Sequence, residues 1–212
     1  MKLRWIISSL LFITMFATGC ENVALSQWVP APQGWHSRVA QLLLDESAFP
    51  KGWQINFDSP QDHIMDPTVN HVGREWWNPD KGSAYIAESI WRAYAVRDAK
   101  EKYTELRQSP VLLASLTPSP DDFYVEFRPP SELSFQSQIA DEFYIACGWV
   151  VWAYCEVVAR YRNYVVDLSL PLEAESQENI RQGLTYIEIE AALKVMDNEF
   201  RDFFESQPTP TS

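Results

Sequence analysis

Five carboxylates in the second half of the chain, Asp121, Asp122, Glu126, Glu142 and Glu156, are the side chains best suited by type to acid–base chemistry. Two carboxyl groups facing each other across a cleft at about 5 to 9.5 Å can cleave a glycosidic bond, one giving a proton while the other attacks or activates water. Nothing in the spacing of these five fixes any such separation. The histidines are His36, His63 and His71, and Asp62, His63, Asp66 and His71 could meet in a loop that offers nitrogen and oxygen ligands. Their intervals match neither the helical nor the strand spacing of a dedicated ligand set, so a solvated loop is expected there, with no metal and no other cofactor. The chain has no nucleophile-elbow serine, no metalloprotease helix motif, no phosphate-cradling glycine loop and no dinucleotide fingerprint, and its 7 glycines leave little material for such loops.

The remaining chemistry belongs to Cys20, Cys147 and Cys155. Lys2 and Arg4 give a basic start, residues 5–17 are mostly apolar, and Ala17, Thr18 and Gly19 lead into Cys20, which is the layout of an export signal. The apolar run falls short of the roughly 20 residues that cross a bilayer. In this layout the first 20 residues resemble the signal of bacterial lipoproteins, whose peptidase cuts before a cysteine already carrying a diacylglyceryl group; Ala17 stands where leucine is more common in that group. The resemblance implies a signal over residues 1–19, lipidation of Cys20, and a membrane-anchored life on the extracytoplasmic side of a bacterial envelope. One acyl chain holds a protein transiently, whereas two or more hold it stably. Residues 20–34, with Pro30 and Pro32, then read as an extended tether, residues 35–206 as one α+β domain, and residues 207–212, with Pro208 and Pro210, as a frayed tail.

With Cys20 modified, Cys147 and Cys155 are left as an even pair in an exported chain, and a disulfide between them is expected. Two buried free thiols are the alternative. The pair lacks the two-residue spacing of redox dithiols and zinc knuckles, and no histidine lies near it in sequence.

The 212 residues carry a formal charge of −12, and Lys2 and Arg4 would leave with the signal and make the mature chain more acidic still. Such a surface repels phosphate backbones and anionic lipid heads, which argues against nucleic acid as a partner. Candidate partners are the membrane through the anchor, an envelope protein and a small ligand. A hydrophobic share of 46% with 22% charged residues is that of a globular protein able to bury one core.

The elements that would position these residues are clearest toward the C-terminus. Cys155, Val157, Ala159 and Tyr161 alternate with more polar neighbours, as do Tyr164, Val166, Leu168 and Leu170 beyond Arg162 and Asn163. A two-residue turn there sets Tyr161 against Tyr164, Ala159 against Val166 and Val157 against Leu168, with the apolar set on one face and Arg160 diagonal to Asp167 as a surface ion pair. Residues 141–147 supply a further strand, placing Cys147 opposite Cys155 and Trp149, Val150, Val151 and Trp152 at a hairpin tip. Thr185 and Glu188 form a capping box, and Ile189, Leu193, Met196, Phe200 and Phe203 follow at helical spacing, which predicts a helix over residues 186–205. Upstream, residues 54–57, 72–77 and 83–95 read as strands, although 84–95 also fits a helix; Asp98 and Glu101 open a shorter helix through about Gln108, a loop covers 109–122, and 123–127 is another strand.

This is an antiparallel sheet of hairpins packed on a C-terminal amphipathic helix and a second, shorter one. In element order and length it loosely resembles the PsbP-like domains of some exported bacterial lipoproteins, a resemblance that implies a fold and no catalytic residue. Adjacent Trp76 and Trp77 on a strand must point to opposite faces, so one of them can join Trp149 and Trp152 in an exposed aromatic surface. Three functions follow: a non-catalytic accessory domain that binds a partner protein or small ligand, a polymer hydrolase built on paired carboxylates, and a carbohydrate-binding lipoprotein that uses Trp77, Trp149 and Trp152.

Overall fold

The computed structural model describes residues 35–59, 69–81, 84–116, 125–149, 153–173 and 183–207, all within one compact unit, Pro32–Ser212. Its elements run α1 (Trp35–Ala40), β1 (Gln54–Ser59), β2 (Val69–Trp77), β3 (Tyr85–Ala93), α2 (Val96–Leu116), β4 (Val125–Arg128), β5 (Glu142–Trp149), β6 (Ala153–Tyr161), β7 (Tyr164–Pro171) and α3 (Tyr186–Glu205). Strands make one seven-stranded sheet in the order β1-β2-β3-β7-β6-β5-β4, with every pairing antiparallel. Two meanders, β1 to β3 and β4 to β7, therefore meet along β3 and β7, and α2 carries the chain from the middle of the sheet to its far edge. Helices packed on an antiparallel sheet make the fold α+β.

Alternating residues 155–170 close into the hairpin their pattern demands, with Tyr161 against Tyr164, Ala159 against Val166 and Val157 against Leu168. Arg162 turns the corner in the left-handed region, at φ 58°. Burial of this hairpin differs from the one-faced expectation: Val158 and Val165 on the second face are fully buried too, because Ala99 and Tyr103 of α2 pack over them. Arg160 differs as well. Only 5% exposed, it is no surface partner of Asp167 but is held by Asp141 at 2.9 Å and by Glu142, the carboxylates at the start of β5.

Residues 85–93 take the strand of the two conformations their pattern allows, and Ile86 and Ile90 are fully buried. Helix α2 runs to Leu116, through the Pro110 that suggested a loop. Proline removes one main-chain bond and kinks a helix without having to end one whose earlier turns already stand. The capping box at Thr185 forms as read, with the Glu188 N–H donating to Thr185 Oγ1 and the Thr185 N–H donating to Glu188 Oε2 at 2.8 Å. Ile189, Leu193, Met196 and Phe200 bury completely, and Phe200 stacks on Tyr161 with ring centroids 4.0 Å apart.

Beside α3, the same sheet face is covered by the segment after α1, whose Leu42, Leu44 and Phe49 are buried and whose Phe49 meets Trp76 edge-on at 5.0 Å. One residue of that segment is held at both its main-chain N–H and its carbonyl. The Leu44 N–H donates to Glu88 Oε2 at 2.9 Å, and Arg74 Nη1 donates to the Leu44 carbonyl at 2.7 Å. Glu88 and Arg74 stand directly opposite on β3 and β2.

At the other end of the sheet Cys147 and Cys155 face each other on β5 and β6 and are joined by a disulfide. The hairpin tip, residues 150–152, lies outside the described residues. Gly148, next to the bridge, is required by packing, since a Cβ there would come within 2.6 Å of the Phe127 ring that fastens β4 to β5. Cross-linking so short a loop is worth about 2–3 kcal/mol in the chain-entropy account. Reduction, or the pair Cys147→Ser and Cys155→Ser, is expected to lower the free energy of unfolding by that amount, read as a fall in the denaturant midpoint, and equal midpoints with and without reductant would contradict a stabilising bridge.

Candidate functional site

Helix α3 exposes a polar flank beside its apolar stripe. Glu190, Lys194, Asn198 and Arg201 recur at intervals of four, four and three residues, so they line one side of the helix. Lys194 pairs with Glu190 at 2.9 Å, and Arg201 Nη1 donates to Asn198 Oδ1 at 2.9 Å. Facing this flank is the loop before β5, which contributes Ser134, Phe135, Gln136 and Gln138. Between them lies an open groove of about 580 Å³ with Asp197 at its base.

Asp197, only 4% exposed, fixes both walls of the groove. Its Oδ1 accepts from Ser137 Oγ and from Tyr161 Oη, each at 2.7 Å, and its Oδ2 accepts from the Gln138 N–H at 3.0 Å. The helix, the loop and the sheet thus meet on one carboxyl group. Burial, followed by the neighbouring charge of Asp197, pushes the Tyr161 hydroxyl well above the usual tyrosine range, so it serves as a permanent donor. Ser137 then turns its own loop, its Oγ accepting from the Ala140 N–H at 2.8 Å and the Ile139 N–H at 3.3 Å. The loop wall is therefore preorganised, which spares an arriving ligand the cost of ordering it. Two cations, two carboxylates, three carboxamides and a hydroxyl line the groove and equip it for a polar ligand.

Of the five carboxylates singled out by type, Asp121 and Asp122 lie outside the described residues, as does the side chain of Glu126. Glu142 is engaged by Arg160. Glu156 sits beside Asp167, a residue not among the five, and accepts from Ser169 Oγ at 2.6 Å. Burial first, then the hydrogen bond and charge of Asp167, raise the Glu156 carboxyl well above the carboxylate range. Two carboxyl groups in hydrogen-bonding contact stand closer than the about 5 Å that glycoside hydrolysis requires.

Trp76 is the buried member of its pair, and Trp77 is partly exposed. Trp77 and Trp149 end their strands at the same end of the sheet, but four strand spacings, about 19 Å, separate β2 from β5. Trp152 and the side chain of Trp149 lie outside the described residues. Asp62, His63 and Asp66 do also, as does the side chain of His36, while His71 sits on β2 with its ring stacked on Trp91 at 4.7 Å. Among the described residues no group of three or more histidine, cysteine, aspartate or glutamate side chains is arranged to hold a metal, and no helix is long and apolar enough to cross a membrane.

Sequence reasoning missed Asp197, although a signal was present. Asp197 falls four residues after Leu193 and three before Phe200, inside the apolar stripe, where an acidic residue must find donors. Glu88, between Ile86 and Ile90 on the buried face of β3, breaks an apolar pattern in the same way. Comparison of the chain with protein-family models, curated proteins and solved structures found no match.

Proposed function

We propose that the chain is a lipid-anchored extracytoplasmic domain that binds a partner and performs no chemistry of its own, with the groove between α3 and residues 134–138 as its recognition site. The observation that carries this reading is the groove itself, whose walls Asp197 holds in place and whose lining of Lys194, Arg201, Gln136, Gln138 and Asn198 offers hydrogen bonds without a nucleophile–base pair. The Cys147–Cys155 bridge supports the extracytoplasmic setting, because such bonds persist in oxidising compartments. Cys20, in the sequence context of a lipoprotein signal, supplies the anchor.

Mild cross-linking in native membranes, with capture through a tag after Gln207, tests the reading when the wild-type chain is compared with Lys194→Glu/Arg201→Glu. The expected result is a discrete partner that the double variant loses while its unfolding transition is unchanged. Equal capture by both chains would remove the groove from the function. An intact mass lacking residues 1–19 but without added lipid would overturn the anchored half of the reading.

A further inference from the structure

The groove between α3 and residues 134–138 has charged walls that cancel. Its described lining sets the cations Lys194 and Arg201 beside the carboxylates Glu190 and Asp197. Both cations already have a neighbour in the lining, Lys194 in Glu190 at 2.9 Å and Arg201 in Asn198 Oδ1 at 2.9 Å. Asp197 commits both oxygens to Ser137, Tyr161 and Gln138. A charged ligand therefore finds no matching field there, and an anion would also approach against the formal charge of −12 on the chain. The groove is built for an uncharged occupant.

Its walls do not suit a peptide. Strand addition needs an open sheet edge, and no described lining residue belongs to β1 or β4, the two edges of the sheet. An amphipathic helix needs an apolar floor and a proline-rich segment needs several rings, whereas Phe135 is the single apolar side chain of the described lining. What the groove does offer is three carboxamides, Gln136, Gln138 and Asn198, each of them donor and acceptor in one planar group. They stand on a loop and a helix that Asp197 holds together, and Gln138 is steadied further as its Nε2 donates to the Gln136 carbonyl at 3.2 Å. Phe135 is braced by Phe143, with ring centroids 5.4 Å apart. Sugar hydroxyls are likewise donor and acceptor at once, and a sugar ring adds an apolar C–H face for an aromatic ring to cover.

We propose that the groove binds a neutral saccharide, with Gln136, Gln138 and Asn198 exchanging hydrogen bonds with its hydroxyls, Arg201 donating to a ring or glycosidic oxygen, and Phe135 covering the C–H face of one sugar. This rests on the groove reading above and names the chemistry of what the groove takes. Because the groove is open, it accepts units within a glycan chain rather than enclosing a single sugar. Neutral hydrogen bonds at an open site are individually weak, so a short oligosaccharide binds weakly, while a polymer engaged by several copies of the chain binds far more tightly.

The test uses the full chain in micelles of a detergent that contains no sugar. It is titrated with cellotetraose, maltotetraose and the tetramer of N-acetylglucosamine, and for comparison with tetragalacturonate and a blocked, uncharged peptide, while the side-chain amide resonances of Gln136, Gln138 and Asn198 are followed. At least one neutral oligosaccharide is expected to shift all three. Gln136→Ala/Asn198→Ala should weaken that binding by about 25-fold, fivefold for each hydrogen bond lost, and leave the unfolding transition in place, since both side chains are exposed. Absence of any shift with all three sugars at millimolar concentration overturns the saccharide. So do shifts confined to the exposed rings of Phe57 and Tyr85, and so does tighter binding of the galacturonate or the peptide. The groove reading fails separately: capture of a partner in membranes that Lys194→Glu/Arg201→Glu abolishes would keep the groove as a protein site without a sugar, whereas equal capture together with no sugar binding removes both.

Discussion

Glu88→Gln raises the thermal midpoint by about 10 °C at pH 8 and changes it little at pH 4, when each variant is compared with wild type at the same pH. Glu88 is 1% exposed and accepts one bond, from the Leu44 N–H. Burial lifts its carboxyl from 4.5 to about 8 against the opposing pull of that bond and of Arg74. Because the folded value lies above the unfolded one, the native state keeps a proton that the unfolded chain has released. The stability this contributes is complete below pH 4.5 and is lost as pH rises through about 8, a total on the order of 4 kcal/mol. Glutamine has no proton to lose, and its carbonyl can still accept from Leu44. The readout is the difference between the two pH profiles, in which the chain's other titrating groups cancel. Parallel profiles from pH 4 to 9 would show that Glu88 does not carry this proton.

Asp197→Ala is expected to cost about 3–5 kcal/mol, because it leaves the donors of Tyr161, Ser137 and Gln138 without their acceptor in a buried place. Tyr161→Phe removes one of the three bonds and should cost about 1–2 kcal/mol. In the double variant the two effects should add to less than their sum, since the hydroxyl has no role once its acceptor is gone. Amide exchange gives a second, local reading. The Gln138 and Ala140 amides, protected through Asp197 and Ser137, should exchange at least tenfold faster in Asp197→Ala than in Tyr161→Phe. Equal protection would mean that the loop is held by something else, and the groove would lose its claim to a fixed wall.

Local pattern made much of the fold legible. The register of β6 on β7 follows from an alternation that admits one pairing, the start of α3 from two residues three apart, and the disulfide from a strand pattern that sets Cys147 opposite Cys155. What stayed hidden depends on distant partners. Val158 and Val165 look solvent-facing until a helix more than 40 residues away in the chain is laid over them, and Arg160 looks like a partner for Asp167 until β5 brings Asp141 and Glu142 alongside. The groove is the extreme case. Asp197 is tied to residues 60, 59 and 36 positions away, and only its place in an apolar stripe betrays it. Choosing candidate carboxylates by residue type pointed to Glu156 but not to Asp167, its partner across the strands.

The order of strands also decides the order of events while the chain is being made. Each meander is stitched from neighbours in sequence, but the seam between them joins β3 to β7, with Arg92 opposite Tyr164 and Ala87 opposite Ser169. At about 5–20 residues per second of synthesis, β3 waits several seconds for the strand that will cover its edge. Throughout that interval it presents a row of unmet main-chain donors and acceptors beside Ile86 and Ile90, a template for any neighbouring chain. A nascent chain halted before Tyr164 should therefore self-associate, whereas one that has cleared Pro171 should not.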